Sequence, residues 1–154
     1  MELLMPTHYQ GNPKEVQALD TFIKFNRAAN AFEARLYQRG AIEDLTPSQF
    51  GILETLYHLG PLCQGQVSSK LLKSTGNVTL VLDNLEKRGL VRRVRDTEDR
   101  RMVKIYLTPA GEDQIRRIFP KMVATIVSEL SILTAEEQAE LGNLCRILGK
   151  NSRQ

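Results

Sequence analysis

The chain has 154 residues, 42% hydrophobic and 25% charged, with a formal net charge of +3. This is the length and composition of one ordinary globular domain, which excludes collagen-like, mucin-like and disulfide-scaffold chains. No stretch approaches the roughly 18 uninterrupted apolar residues of a membrane span. Met1-Glu2-Leu3-Leu4-Met5-Pro6 lacks the basic region and long apolar run of a secretory signal, so a cytoplasmic protein with no membrane partner is expected.

Asn12-Pro13-Lys14-Glu15 reads as a helix start, with a side-chain acceptor at the N-cap, Pro at N1 and Glu at N3. A helix is expected from there to about Arg39, stopped by Gly40, with Phe22, Phe25, Ala29, Phe32 and Leu36 in one apolar stripe. At about 26 residues it is long for a compact domain, as helices packing partly on another subunit often are. Thr46-Pro47-Ser48-Gln49 is a second start, a T-x-x-Q capping box, and Phe50, Leu53, Leu56 and Tyr57 form the buried face before Gly60-Pro61.

Two short helices joined by a tight turn come next: Gln64 to Leu72, with Val67, Leu71 and Leu72 apolar, then a helix with Val78, Val81, Leu82 and Leu85 inward, ending at Gly89. Leu90 to Arg95 and Met102 to Leu107 both alternate, with Val103, Ile105 and Leu107 inward, and predict a hairpin. Its tip, Asp96-Thr97-Glu98-Asp99-Arg100-Arg101, holds no Asn-Gly or Asp-Gly, so a loop longer than two residues is expected.

Thr108-Pro109 starts a further helix with Ile115, Phe119, Met122, Ile126 and Leu130 on one face and a kink or break at Pro120. The capping box Thr134-Ala135-Glu136-Glu137 starts the last, burying Leu141, Leu144 and Leu148. The fold class is therefore α+β, mainly α-helical: a helix-turn-helix and its hairpin between flanking helices.

Charge is concentrated where that hairpin lies. Gln64 to Lys104 holds 10 Lys/Arg against 5 Asp/Glu, and Lys87 to Lys104 alone holds 8 against 3. A helix-turn-helix followed by a basic hairpin is a winged-helix arrangement, which offers DNA a helix for the major groove and a cationic loop beside it. An enzyme finds no support, because there is no nucleophile elbow, no glycine-rich phosphate loop and no paired acid and base.

These residues resemble the MarR family of winged-helix transcriptional regulators. The match runs through Leu45-Thr46-Pro47-Ser48-Gln49-Phe50, Gly60-Pro61-Leu62, Ser74-Thr75-Gly76-Asn77-Val78-Thr79, Leu85-Glu86-Lys87-Arg88-Gly89-Leu90-Val91, Asp96-Thr97-Glu98-Asp99-Arg100-Arg101 and Leu107-Thr108-Pro109-Ala110-Gly111. The resemblance implies a homodimer whose terminal helices (12–40 and 109–150) interlock, and a DNA-binding lobe over 45–108 that reads a pseudo-palindromic operator. It implies a repressor, in many relatives relieved by a small aromatic or phenolic compound.

The family's recognition helix matches Ser74 to Arg88. With the apolar stripe inward, Ser74, Thr75, Gly76, Asn77, Thr79, Leu80 and Asn84 are left for the groove, with Lys87 beside them. Asn77 has the groups to pair an adenine edge and Leu80 to meet a thymine methyl, so an A·T-rich site is expected. Family members commonly carry Arg at the position of Leu80. The family's Asp-x-Arg wing signature matches Asp99, Arg100 and Arg101, the carboxylate orienting the Arg101 guanidinium for the minor groove. Arg93 and Arg95 are further cations of the wing, and for them, as for Arg92 and Lys87, a plain surface role is the alternative to a DNA contact, because sequence does not fix their directions.

Phe25, Phe32, Tyr37, Tyr57 and His58 are candidate linings of an effector pocket, with an ordinary core role as the alternative for both phenylalanines. Cys63 stands just before the helix-turn-helix, where it is either a redox-sensitive thiol or a weak cap. Cys63 and Cys145 are 82 positions apart without CxxC or Cys-His clustering, and both are expected reduced, Cys145 in a core. His8 and His58 have no partner at ligand spacing, so neither metal nor cofactor is expected. The competing reading of the whole chain is a winged-helix module that pairs with proteins and no longer binds DNA.

Overall fold

The computed structural model describes residues 7–38, 40–71 and 75–151. The elements are α1 (Pro13–Leu36), α2 (Pro47–Leu59), β1 (Leu62–Cys63), α3 (Gln64–Leu71), α4 (Thr75–Lys87), β2 (Val91–Arg95), β3 (Val103–Leu107), α5 (Pro109–Leu130) and α6 (Ala135–Lys150). The fold is mainly helical with a small antiparallel sheet, the expected class and order. The chain forms two compact units, residues 39–125 and residues 1–38 with 126–154.

In the first of these units α2, α3, α4, β3 and α5 contribute to one core. Leu53 of α2, Val67 of α3, Leu82 and Leu85 of α4, Ile105 of β3 and Ile115 and Ile118 of α5 are each 0% exposed. The sheet runs β1-β3-β2, with Arg93 opposite Ile105 and Leu62 also opposite Ile105, so β3 is the central strand. β1 was not foreseen, because two residues cannot display a period of two. α4 ends in a Schellman turn. Gly89, at φ +70, donates its N–H to the Glu86 carbonyl (2.9 Å), and the Leu90 N–H reaches the Leu85 carbonyl (2.9 Å).

The loop before α2 is tied to α5 and to the end of α4. Arg117 of α5 binds the two carboxylate oxygens of Glu43 at 2.9 Å each, while Asp44 receives Gln114 (3.0 Å) and Arg88 (2.5 Å). The guanidinium of Arg117 and the hydrogen bond from Arg88 hold the Glu43 and Asp44 carboxyls, respectively, below the ordinary range. Arg88 therefore anchors the C-terminal end of α4 to this loop.

Several boundaries and burials differ from expectation. α1 stops at Leu36 rather than near Arg39, its last carbonyls met by the Tyr37 N–H; Gly40 takes positive φ (+75) within the loop, and Arg39 lies outside the described residues. Pro120 sits inside α5, which runs on through it. α1 and α6 contain no buried residue in the single chain: Phe22, Phe25, Leu141, Leu144 and Leu148 are 59, 45, 45, 54 and 63% exposed. The stripes predicted on these helices exist but face outward, so the expected burial of Leu141, Leu144 and Leu148 does not occur within one chain. Cys145, expected in a core, is exposed too. All three capping boxes, at Asn12, Thr46 and Thr134, form as the sequence predicts.

Candidate DNA interface

α4 buries Val78, Leu82 and Leu85 and leaves Asn77, Leu80, Asn84 and Lys87 exposed. Leu80 is 61% exposed, which puts an apolar side chain among polar ones on the outer face. Thr79, expected on that face, is half-buried, and its hydroxyl accepts from Gln64 Nε2 at 2.5 Å, tying α3 to α4. Thr75 and Gly76 open α4, and Ser74 lies outside the described residues, as do Leu72 and Lys73.

The wing tip is shaped by backbone hydrogen bonds to its own acids. Asp96 Oδ1 accepts from the N–H of Glu98 (2.8 Å) and of Asp99 (3.3 Å), and Asp96 Oδ2 lies 2.8 Å from the Lys104 ammonium. The hydrogen bond from Lys104, then those from Glu98 and Asp99, pull the Asp96 carboxyl down to about 2. The Asp96 N–H reaches the Met102 carbonyl at 2.8 Å and closes the loop.

The expected pairing of Asp99 with the Arg101 guanidinium is not what the structure shows. Asp99 Oδ1 accepts the backbone N–H of Arg101 (3.0 Å), so the carboxylate sets the chain direction at Arg101 rather than holding its head group. Arg100 and Arg101 are both exposed, with no carboxylate partner among the described residues. Arg95 is exposed at the end of β2, and Arg92 lies over the Tyr106 ring at 4.8 Å. Arg93, expected to be a wing cation free for DNA, is instead held between Asp83 and Glu86 of α4 at 2.7 Å each.

Asp96 makes a pH-dependent contribution with a definite sign. Its folded pKa is depressed from 3.8 to about 2, so the stabilisation is full above the unfolded value and is lost as pH falls through the folded one. Asp96→Asn is expected to lower the melting temperature near neutrality, and the difference from wild type should shrink to nothing toward the acid limit. Melting curves of both proteins across that range check it; a difference that does not change with pH would show that the carboxylate charge is not involved.

The pocket candidates fall into two groups. Phe25 and Phe32 line an apolar groove of about 320 Å³ with Ala28, Ala29, Ile126, Leu130, Leu141 and Cys145. Tyr37, half-buried, caps the end of α1. In the other unit Tyr57 borders a cleft with Pro61, Tyr106 and Glu112, and the His58 ring lies 4.5 Å from Phe119 with Nδ1 2.9 Å from the Glu54 carbonyl. Cys63 occupies β1, half-buried, and its backbone N–H donates to Gln66 Oε1 (2.9 Å) at the start of α3, so the Gln66 amide is the capping group in this bond. Among the described residues no group of three or more metal-ligating side chains occurs.

Sequence reasoning missed the ion pairs Arg93–Asp83/Glu86, Lys104–Asp96 and Arg88–Asp44. Only the first left a trace, two acids three residues apart on one helix face followed by a strand arginine.

A helix-turn-helix whose second helix exposes Asn77, Leu80 and Asn84, followed at once by an antiparallel wing tipped with two exposed arginines, defines a winged-helix DNA-binding regulator. The MarR family model matches residues 45–103. The HTH-type transcriptional regulator YkoM of Bacillus subtilis (strain 168) is 33% identical over 143 residues, covering 92% of this chain and 93% of its own. A probable transcriptional regulator from Pseudomonas aeruginosa is 29% identical, with a TM-score of 0.75, over 85% of this chain and 98% of that one. BpsR of Bordetella bronchiseptica, whose structure addresses regulation of its DNA binding by 6-hydroxynicotinic acid, is 26% identical with a TM-score of 0.73, over 88% and 98% of the two chains. The chain belongs to the MarR family of transcriptional regulators, and it is not an enzyme. Among the described residues no single helix is long and apolar enough to cross a membrane.

Proposed function

We propose that the protein is a homodimeric repressor that binds a pseudo-palindromic, A·T-rich operator and is relieved by a small aromatic or phenolic compound. The observation that carries the DNA reading is the pairing of an outward Asn77, Leu80 and Asn84 on α4 with an uncompensated Arg100 and Arg101 at the wing tip. An amide side chain pairs with adenine and an apolar one with the thymine methyl, while a wing guanidinium suits the narrow minor groove of A·T tracts. Thr75, Gly76, Lys87 and Arg95 lie on the same elements and complete the proposed contact set.

Dimerisation is supported by the outward stripes of α1 and α6. Apolar faces on this scale are characteristic of surfaces that a partner covers, and a second copy supplies two lobes for the two half-sites. Relief by an aromatic compound rests on BpsR, where 6-hydroxynicotinic acid acts on DNA binding, and on the groove beside Phe25 and Phe32, which is apolar enough for a ring. Such a ligand acts through its differential affinity for the DNA-competent and incompetent arrangements of the dimer.

The test is fluorescence anisotropy with duplexes from the chain's own upstream region and scrambled controls at several salt concentrations. Tight binding of two chains to one A·T-rich inverted repeat, weakening steeply with salt, is expected, as is release by members of a panel of hydroxylated aromatic acids. Salt-insensitive absence of binding to every duplex would favour the protein-interaction module instead.

A further inference from the structure

We infer that Arg93 governs DNA recognition indirectly, as a clamp that fixes the recognition helix against the wing. The inference rests on the proposed entry of α4 into the groove. Arg93 stands in the middle of β2, opposite Ile105, which is 0% exposed, so its strand is anchored in the core. Its Nη2 donates to Asp83 Oδ1 (2.7 Å), its Nη1 to Glu86 Oε2 (2.7 Å) and its backbone N–H to Glu86 Oε1 (3.1 Å). Asp83 and Glu86 are three residues apart, so they form one edge of α4, next in sequence to the exposed Asn84 and Lys87.

The chemistry suits a clamp and not a phosphate ligand. The planar fork directs its two terminal nitrogens to two carboxylates on successive turns, fixing both the distance and the rotation of α4 about the strand, which a lysine's single point charge does not do. Only 22% of the Arg93 side chain is exposed, and its charge is balanced by two carboxylates. β2 then runs directly into the loop that carries Arg100 and Arg101. One residue thus holds the groove-facing helix and the cationic tip in a single frame, and recognition that needs both at once depends on it.

The experiment compares Arg93→Ala, Arg93→Lys, the pair Asp83→Ala/Glu86→Ala and the triple variant with wild type, measuring operator affinity over a range of salt, with circular dichroism and melting for each. Arg93→Ala and Arg93→Lys are both expected to weaken operator binding about tenfold with the log–log salt slope unchanged, whereas loss of a phosphate contact lowers the slope by about 1. Asp83→Ala/Glu86→Ala removes two negative charges close to the DNA and places a strong helix former at both sites, so it keeps α4 intact. Simple electrostatics makes it bind more tightly; the clamp makes it bind about tenfold more weakly, with the triple variant no weaker than Arg93→Ala.

A lowered salt slope in Arg93→Ala, or tighter operator binding by Asp83→Ala/Glu86→Ala, would overturn the clamp, as would recovery of wild-type affinity in the triple variant, the mark of mere charge masking. Wild-type protein that binds no duplex would remove the DNA reading beneath it, a result distinct from all of these.

Discussion

Replacing Arg100 and Arg101 together with alanine is expected to weaken operator binding by at least about 30-fold, with the fold intact. Each groove or phosphate contact of this kind is worth about 1 to 3 kcal/mol, and the two side chains are uncompensated at the tip. The wing keeps its shape without them, because the Asp96 carboxylate, the Lys104 ammonium and the Asp96–Met102 backbone bond define the loop. At the tip Arg101 donates its backbone N–H to Asp99 Oδ1, a bond that alanine retains. Loss of two phosphate-type contacts should also lower the log–log salt slope by about 2. Anisotropy titrations at four or five salt concentrations read both quantities; an unchanged affinity in a folded variant would take the wing tip out of the interface.

The contrast with Arg93 shows what a sequence discloses about such a site. Eight cations crowd Lys87 to Lys104, and a sequence cannot say which are free. Arg88, Arg93 and Lys104 turn out to be bound to Asp44, Asp83/Glu86 and Asp96, and Arg92 lies over Tyr106. Partner choice depends on strand register and on the angle at which α4 meets β2, neither of which has a local signature. Among the described residues Arg100 and Arg101 have no carboxylate partner in the polar loop at the tip, where no packing dictates one, and Lys87 and Arg95 stand exposed at the ends of α4 and β2.

Elements with a strong local code were legible. The three capping boxes, the glycine ends of α2 and α4 and the alternation of the hairpin all depend on residues within four or five positions of one another. Thr79 was misplaced because a helix periodicity assigns faces but not the neighbour that covers a face, here Gln64 of α3. Leu141, Leu144, Leu148 and Cys145 were misjudged for a related reason: an apolar stripe predicts burial without saying which chain provides it. The same stripes therefore carry the proposed dimer.

Gly111→Ala is expected to destabilise the protein by about 3 kcal/mol or more, a large part of the 5 to 15 kcal/mol of a typical domain. A Cβ at this position would lie 2.0 Å from the Leu90 carbonyl oxygen and 2.9 Å from its carbon, both backbone atoms, so no side-chain rotation relieves the clash. The surroundings are fixed as well. The Leu90 carbonyl receives the Thr108 N–H (3.1 Å), the Thr108 hydroxyl donates to the Gly89 carbonyl (2.6 Å), and the Gly111 N–H donates to that hydroxyl (3.1 Å). The start of α5 is thereby fastened onto the Schellman turn that ends the recognition helix, and a methyl group at 111 must push the two apart. Gly65→Ala in α3 is the control, since a Cβ there meets nothing within 4 Å, and alanine should be neutral or stabilise by up to about 1 kcal/mol. Urea titration of both variants measures the difference. Equal midpoints would mean that α5 shifts freely against α4, and the frame that aims the recognition helix would then have to be sought in the Arg93 and Arg88 ion pairs alone.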